Sequence, residues 1–173
     1  MTYSKANLYN NFVKISRNNN LYAKFTSQDT FSDRLTILLI HFAFLIKCKK
    51  SKLNKKLLQN VHDDFFKSLE FDIRESGYGD VAVNKKMKDY LNTFYYILNK
   101  IHNWDNLIKS EKITLFNDML NAQKSTEYLA IYFDKFNRLL INNTLNYFTK
   151  GVLKLKFKLW LYLKEKQQNQ GLV

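Results

Sequence analysis

Residues 65–88 read FFKSLEFDIRESGYGDVAVNKKMK and connect two segments that have the apolar spacing of amphipathic helices. The apolar residues before the connection are Leu58, Val61, Phe65, Leu69 and Ile73, and those after it are Met87, Leu91, Phe94, Leu98 and Ile101. Both series advance by three or four residues, which predicts one buried face on each helix. The sequence therefore predicts two helices, at about 53–76 and 84–101, that meet at a tight corner.

The turn of this corner is predicted from two of the four glycines in the chain. Gly77 is expected to end the first helix in a left-handed conformation, which other residues adopt only with a steric clash. Asp80 is expected to accept hydrogen bonds from the first free amides of the second helix. Arg74 and Glu75 are expected to form an ion pair before the turn. An exposed pair would contribute about 0–1 kcal/mol, whereas a pair that holds backbone groups would shape a surface for a partner, and the sequence leaves both open.

The chain up to residue 150 predicts an all-α domain of six or seven helices. The absence of proline suits long uninterrupted helices. The run LTILLIHFAFLI at 35–46 is shorter than the span of about 20 residues that a bilayer requires, so we interpret it as a buried central helix. Thr30 and Asp33 resemble a capping box at its start. Further helices are predicted at 5–16, from an N-cap at Ser110 to residue 120, and from an N-cap at Ser125 to about residue 148.

The segment after Gly151 has a different periodicity. Leucine and phenylalanine occupy every second position from 153 to 163, and lysine, tryptophan and tyrosine alternate with them. A period of two is typical of a strand with one apolar face. We therefore divide the chain into a helical domain at 1–150 and a basic, apolar tail at 151–173, in extended or strand-like form. The tail is expected to pair with itself in a dimer, to pack on the domain, or to meet a client or an anionic membrane surface through Lys154, Lys156 and Lys158.

The net charge restricts the classes of partner. It is +13, from 28 Lys and Arg against 15 Asp and Glu. A basic surface attracts phosphate on nucleic acid or on anionic lipid, although the composition of an AT-rich genome explains the same charge. The connector KCKKSKLNKK at 47–56 is interpreted either as a solvated turn or as an anionic contact. Alternative functions are therefore an RNA- or ribosome-binding protein and a membrane-surface scaffold, and no specific DNA binding is expected.

Cysteine usage and the first residues bear on the compartment. Cys48 is the single cysteine, so no internal disulfide is expected, which fits a reducing compartment. Its neighbours Lys47 and Lys49 favour a lowered thiol pKa, but we expect a structural thiol. The first residues, MTYSKANLYNN, are polar and do not resemble a secretory signal. We therefore expect a soluble or peripheral protein.

The sequence shows no pattern that predicts catalysis or a metal site. His41, His62 and His102 lack metal-ligand spacing, and His41 is expected to be a hydrogen-bonded core residue. The glycines at 77 and 79 follow a helix rather than a strand, and no Lys-Ser/Thr follows them as in a phosphate loop. We interpret the carboxylates between residues 63 and 72 as a solvated face. The chain is therefore predicted to be a non-enzymatic protein without metal or cofactor.

The corner resembles the ubiquinol–cytochrome c chaperone family. The motif consists of Arg74-Glu75-x-Gly77-x-Gly79-Asp80-x-x-Val83, followed by Lys85-Lys86-Met87-Lys88 and Phe94-Tyr95. Weaker similarity lies in Asp29-Thr30-Phe31 with Arg34 and His41, in Asp63 with Phe65-Phe66, and at 129–137, so that the resemblance extends over about 8–154. The chain departs from the family at Ser68, at Tyr96-Ile97 and in the tail.

This resemblance implies an all-helical assembly chaperone for respiratory complex III that binds newly made cytochrome b. It implies work in the cytoplasm at the inner membrane (on the matrix side in a mitochondrion), with the ribosome and a small subunit as further partners. Client-binding apolar residues near the corner should then be more exposed than a core requires. The residues carried over to client or partner binding are Arg34, His41, Asp63, Phe65, Phe66, Arg74, Glu75, Gly77, Gly79, Asp80, Lys85, Met87, Lys88, Phe94 and Tyr95.

Overall fold

The computed structural model describes residues 5–18, 21, 30–120 and 126–150 of the chain. These residues form seven α-helices and one short 3-10 helix, with no strand among them, which confirms the all-α prediction. The tail with Lys154, Lys156 and Lys158 lies outside the described residues, so its extended form and the domain boundary at 150 stay predictions. The elements are α1 (Lys5–Ser16), α2 (Phe31–Lys49), α3 (Lys55–Glu75), α4 (Asp80–Lys100), the 3-10 helix (Trp104–Asn106), α5 (Lys109–Leu120), α6 (Glu127–Asn142) and α7 (Leu145–Lys150).

Helix α2 is the centre of the fold, as the apolar run predicted. It contacts α1, α3, α4, α5 and α6, and its residues 37–46 are all buried. The predicted capping box is present, because the amide of Asp33 donates to Thr30 Oγ1 (3.2 Å) and the amide of Thr30 donates to Asp33 Oδ2 (3.3 Å). This box satisfies two amides at the start of the helix. Within the described part of the chain, no helix is both long and apolar enough to cross a bilayer.

Aromatic side chains join α2 to its neighbours. The ring of Phe42 stacks on that of Phe65 in α3, with centroids 3.7 Å apart and planes 3° apart. The ring of Phe44 stacks on that of Phe133 in α6 at 5.0 Å. Phe12 of α1 meets Phe42 edge to face at 6.4 Å. Because buried aromatic rings remove the largest apolar areas from water, these contacts fix α1, α3 and α6 around α2.

Two helix limits differ from the prediction near residues 110 and 143. Helix α5 begins before Ser110, so Ser110 is not its cap, and Glu111 instead accepts a hydrogen bond from the amide of Ile108 at 2.8 Å. The predicted cap Ser125 lies outside the described residues, and α6 follows Thr126. Helix α6 ends at Asn142, whereas one helix was predicted to continue to about 148. The apolar spacing did not reveal this break because α7 buries Leu145 and Phe148 in nearly the same phase.

Buried polar groups in the described core are paired. His41 is fully buried, its Nδ1 donates to the Ile37 carbonyl (2.7 Å), and its Nε2 accepts from the Tyr132 hydroxyl (2.8 Å). Burial lowers the pKa of His41 to about 4. Cys48 donates to Asn137 Oδ1 at 3.0 Å, and burial raises the pKa of its thiol despite the adjacent lysines. Both residues are therefore hydrogen-bonded and buried in the core, as expected from the sequence.

Candidate functional site

The corner between α3 and α4 has the predicted left-handed glycine. Gly77 has a φ of 88°, and its amide donates to the carbonyl of Arg74 at 2.9 Å. A Cβ built on Gly77 would meet no atom within 4 Å, so the backbone conformation alone favours glycine there. Gly79 is the N-cap of α4 in an extended conformation, with no side-chain cap. Helix α4 begins at Asp80, earlier than the predicted start at about residue 84. The prediction was late because it followed the buried apolar face, and the first three residues of the helix precede that face.

Arg74 connects the two helices of the corner through partners that differ from the predicted one. It binds Glu70 Oε1 through Nη2 (2.8 Å) and Nε (3.2 Å), and its Nη1 binds the carboxylate of Asp80. These two carboxylates, Glu70 first, raise the pKa of Arg74. The predicted Arg74–Glu75 pair was wrong, because adjacent helical residues point in different directions whereas residues four apart face each other. The predicted capping role of Asp80 was also wrong, since its side chain reaches back to Arg74 instead.

Apolar side chains near the corner are exposed. Phe71 is 62% exposed, Val81 is 86% exposed, and Tyr78 in the turn is about half-exposed. The ammonium of Lys86 lies 4.4 Å from the centroid of the Tyr78 ring, a cation–π contact that holds this tyrosine at the surface. Phe71 and Val81 lie away from the buried faces of their helices, so packing in the core does not explain why these positions are apolar. We name Phe71, Tyr78 and Val81 the corner surface.

The residues carried over from the family motif divide into an interior set and a surface set. The interior members are buried on α2, α3 and α4, and they are His41, Phe65, Phe66, Met87 and Phe94. The surface members are exposed, and they are Arg34, Asp63, Arg74, Glu75, Gly77, Gly79, Asp80, Lys85, Lys88 and Tyr95. A partner that meets the outside of this conformation can touch the surface set, whereas the interior set positions the helices that carry it. Their role in client binding stays a prediction.

A cavity of about 570 Å³ beside the corner brings Arg34 of α2 and Glu75 of α3 to one site. Tyr9 and Asp72 also line it, and the Tyr9 hydroxyl donates to Asp72 Oδ2 at 2.7 Å. Burial and the Asp72 carboxylate raise the pKa of Tyr9. The same two residues line a second cavity of about 580 Å³ that includes Phe71. The hydrogen bond thus stands between two cavities, one of which opens at the corner surface.

Asp63 and Tyr95 are brought together through His62. His62 Nδ1 donates to Asp63 Oδ1 (3.0 Å), since a carboxylate can only accept, and the Tyr95 hydroxyl donates to Nε2 (3.2 Å). The bond from His62 lowers the pKa of Asp63, which fits a solvated carboxylate. The rings of His62 and Tyr95 stack with centroids 5.9 Å apart. This chain of bonds links the outer faces of α3 and α4 about midway along the pair.

Sequence reasoning missed Phe71, Tyr9, Asp72 and His62 as parts of the site. Phe71 carried a usable signal, because it is an apolar residue outside the three-to-four spacing of its helix. The contact between Tyr9 and Asp72 spans 63 positions of the chain and carried no local signal. Among the described residues, no group of three or more His, Cys, Asp or Glu side chains is placed to hold a metal ion.

A comparison with known families identifies a match to the part of the chain that contains α2, α3 and α4. Residues 23–103 match the family described as Ubiquinol-cytochrome C chaperone. No curated protein and no solved structure matches the chain. The matched region contains the α3–α4 corner and every residue of the interior and surface sets, but it does not reach 129–137, where the sequence resemblance was also drawn. Over residues 23–103, somewhat less than half of its length, the chain is therefore similar to the ubiquinol-cytochrome C chaperone family.

Proposed function

We propose that this protein is an assembly chaperone of respiratory complex III and that its client is newly made cytochrome b. The chaperone role is supported by the family match over residues 23–103. The choice of client rests on the resemblance of the corner motif, from Arg74 to Tyr95, to that family. The proposed activity is non-catalytic: the protein holds the client until haem and partner subunits replace it.

The observation that carries this proposal is the exposure of the corner surface. Phe71 and Val81 are each more than half exposed, although large apolar side chains gain about 1.5–3 kcal/mol when they are buried. Exposed apolar groups of this kind are typical of surfaces that bind another protein. Cytochrome b is a membrane protein, so its apolar helices are matching partners before assembly. A few such contacts would bind the client reversibly, so that it can still be released.

The charged residues near the corner surface are suited to form the polar rim of an interface. Arg74 lies between Glu70 and Asp80, and Lys85 and Lys88 are exposed on α4, the helix that begins with Asp80 and Val81. Protein interfaces commonly have an apolar centre and a charged or polar rim that water still reaches. The rim charges would orient the client, while the apolar side chains would provide most of the binding free energy.

We further propose that the protein acts at the surface of the inner membrane. A basic protein gains about 1 kcal/mol for each Lys or Arg held near an anionic leaflet, and this chain has a net charge of +13. The same location would bring it to cytochrome b as that protein is inserted. A small partner subunit and the ribosome remain proposed partners on the strength of the family resemblance.

A capture experiment tests the client. The tagged protein is recovered from detergent-solubilised membranes, and its partners are identified by mass spectrometry and by a haem spectrum. We expect cytochrome b to be enriched with the native chain and reduced several-fold with the Phe71→Ser/Val81→Ser variant. The matched control is Ile108→Ser, because Ile108 is also an exposed apolar residue (64%) but lies before α5, outside the corner surface.

Two results would contradict the proposal. Equal recovery of cytochrome b by the native chain and the double variant would show that the corner surface does not hold the client. Recovery of ribosomal proteins without cytochrome b would point instead to the RNA- or ribosome-binding alternative. The thermal unfolding of each variant is measured alongside, so that loss of binding is separated from loss of the fold.

A further inference from the structure

A second surface feature lies at the other end of α3, where α2 turns into it. A pocket of about 370 Å³ lies between this turn and the turn from α6 to α7. Leu53 and Leu57 form one side of its lining, Ile141 and Leu145 form the other, and Ile141 is 41% exposed. Lys49 and Lys52 also line the pocket, which we name the lysine pocket. Its lining therefore combines apolar side chains with two cations.

The two lysines are fixed in place by backbone carbonyls. Lys49 is only 2% exposed, and its ammonium donates to the carbonyls of Leu140 and Asn143, both at 2.5 Å. The ammonium of Lys52 donates to the carbonyl of Ile141 at 2.5 Å. An ammonium has three donors, so these bonds leave one on Lys49 and two on Lys52. The carbonyls belong to the last turn of α6 and the residue after it, where cations are favoured.

Acidic side chains are absent from both chain segments that form the pocket. Residues 47–62 contain six lysines and no Asp or Glu, and residues 135–150 also contain no Asp or Glu. Lys47 is neutralised by Asp105, whose oxygen lies 2.5 Å from the ammonium. Among the described residues, no carboxylate forms an ion pair with Lys49, Lys50, Lys52, Lys55 or Lys56. The exposed Lys52 thus presents its positive charge to the solvent at this pocket.

We propose that the lysine pocket binds an anionic phospholipid of a bilayer surface, with the phosphate at the lysines and the adjoining acyl carbons against the apolar lining. The apolar lining favours an amphiphile over free phosphate, which has no apolar part. The tail at 151–173 carries five lysines and one glutamate, so it has the same sign of charge as the pocket and is a poor occupant. This site is independent of the cytochrome b client, because it lies at the opposite end of α3 from the corner surface.

Vesicle flotation of the full chain tests the site. The probes are vesicles of phosphatidylcholine alone and of phosphatidylcholine mixed with phosphatidylglycerol. We expect binding to the anionic vesicles and a loss of about tenfold or more in the Lys52→Glu/Lys55→Glu variant, which changes one lysine of the pocket lining and one exposed lysine at the start of α3. The matched control is Lys14→Glu/Lys100→Glu, which changes the net charge equally at exposed lysines of α1 and α4. A third variant, Ile141→Ser, removes the exposed apolar group without changing charge and should weaken binding several-fold.

The outcomes separate this site from other causes of binding. Equal losses in the two double variants would show diffuse attraction of a basic protein and overturn the proposal. Full binding by Ile141→Ser would show that no acyl carbons enter the pocket, and would overturn it as well. Loss only in a Lys154→Glu/Lys156→Glu variant would assign the membrane contact to the tail. A Lys52→Glu/Lys55→Glu variant that loses RNA binding but retains vesicle binding would make the pocket a nucleic-acid site.

Discussion

Helix α3 joins two corners of different construction. At its first residues, the turn from α2 is held by lysines that reach carbonyls of α6, and Asn54 caps the helix by accepting from the amide of Leu57 at 2.8 Å. At its last residues, the turn into α4 is held by the left-handed Gly77 and by Arg74, which binds Glu70 of α3 and Asp80 of α4. A straight helix of 21 residues is about 30 Å long. The two corners are therefore separate surfaces on one rigid element.

The two corners differ in how far apart in the chain their contacting residues lie, and this predicts different effects of mutation on stability. The α2–α3 corner depends on contacts between residues about 90 positions apart, such as Lys49 with Leu140. The α3–α4 corner depends on neighbours in the chain, and the side chains of its corner surface are exposed. Changes at the buried Lys49 of the first corner should therefore affect the whole fold, whereas changes at the exposed residues of either corner should affect mainly what binds there.

The largest expected effect is at the middle of α3, on which both corners depend. Phe65→Ala removes the ring that stacks on Phe42 and should lower the free energy of unfolding by about 3–5 kcal/mol. Phe71→Ala on the same helix is the matched control, and it should change stability by less than about 0.5 kcal/mol because Phe71 is exposed. Urea unfolding measures both. An equal loss in the two variants would mean that the corner surface is part of the core.

Acidification tests how much the buried, uncharged His41 contributes to the stability of the interior that both corners share. The pKa of His41 is lowered from 6.5 to about 4 in the folded chain, so the unfolded chain takes up a proton first as the pH falls. Stability should therefore be complete above about pH 6.5 and decrease by about 3 kcal/mol towards pH 4. This loss should be smaller in His41→Gln, which does not titrate, when urea unfolding is repeated across the range. The same pH dependence in both proteins would assign the loss to carboxylates.

A smaller effect is expected at the α2–α3 corner itself. Lys49→Met keeps the length of the side chain but removes the ammonium that binds two carbonyls, so stability should decrease by about 1–2 kcal/mol. The loss is limited because burial already lowers the pKa of Lys49 and disfavours its charge. Lys50→Met is the control, since Lys50 is exposed next to it. If chemical unfolding shows that Lys49→Met is as stable as the native chain or more stable, this corner does not depend on its lysine.

The predictions from sequence succeeded where the chain determines its own local geometry. The Thr30–Asp33 box and the left-handed Gly77 depend on a few adjacent residues, and both are present. The buried face that includes Phe65 and Phe94 follows from helical spacing alone, and it was also correct. The i,i+4 rule could also have indicated Glu70 as a partner of Arg74, but the adjacent Glu75 was chosen instead.

The remaining features required the packed chain. Nothing near Lys49 in the sequence indicates that its ammonium would reach carbonyls 91 and 94 positions away. The connector at 47–56 was therefore interpreted only as a solvated turn or an anionic contact, without the apolar pocket beside it. Exposed apolar residues near the α3–α4 corner were expected from the resemblance, but the individual residues were not predicted, because exposure depends on which faces the other helices cover. Long-range pairing is the information that local patterns lack.

The smallest stability effect is expected at the two glycines of the α3–α4 corner. Gly77→Ser places a side chain on a backbone with a φ of 88°, and although no atom lies within 4 Å, the strain should lower stability by about 1 kcal/mol. Gly79→Ser is the matched control, because Gly79 is an N-cap in an ordinary extended conformation without a side-chain bond. A serine there can accept from a free amide of α4 and should raise stability by a few tenths of a kcal/mol.

If Gly77→Ser lowers the stability and Gly79→Ser raises it, backbone conformation, and not crowding, selects glycine at 77. Thermal unfolding is sensitive enough, since 1 kcal/mol shifts the midpoint of a domain of this size by about 2–4 °C. Two losses of similar size would mean instead that a partner or a neighbouring segment occupies the space around the turn. Because Arg74 and Asp80 span this turn, any strain at 77 that displaces them should also weaken capture of cytochrome b, which Gly79→Ser should leave intact.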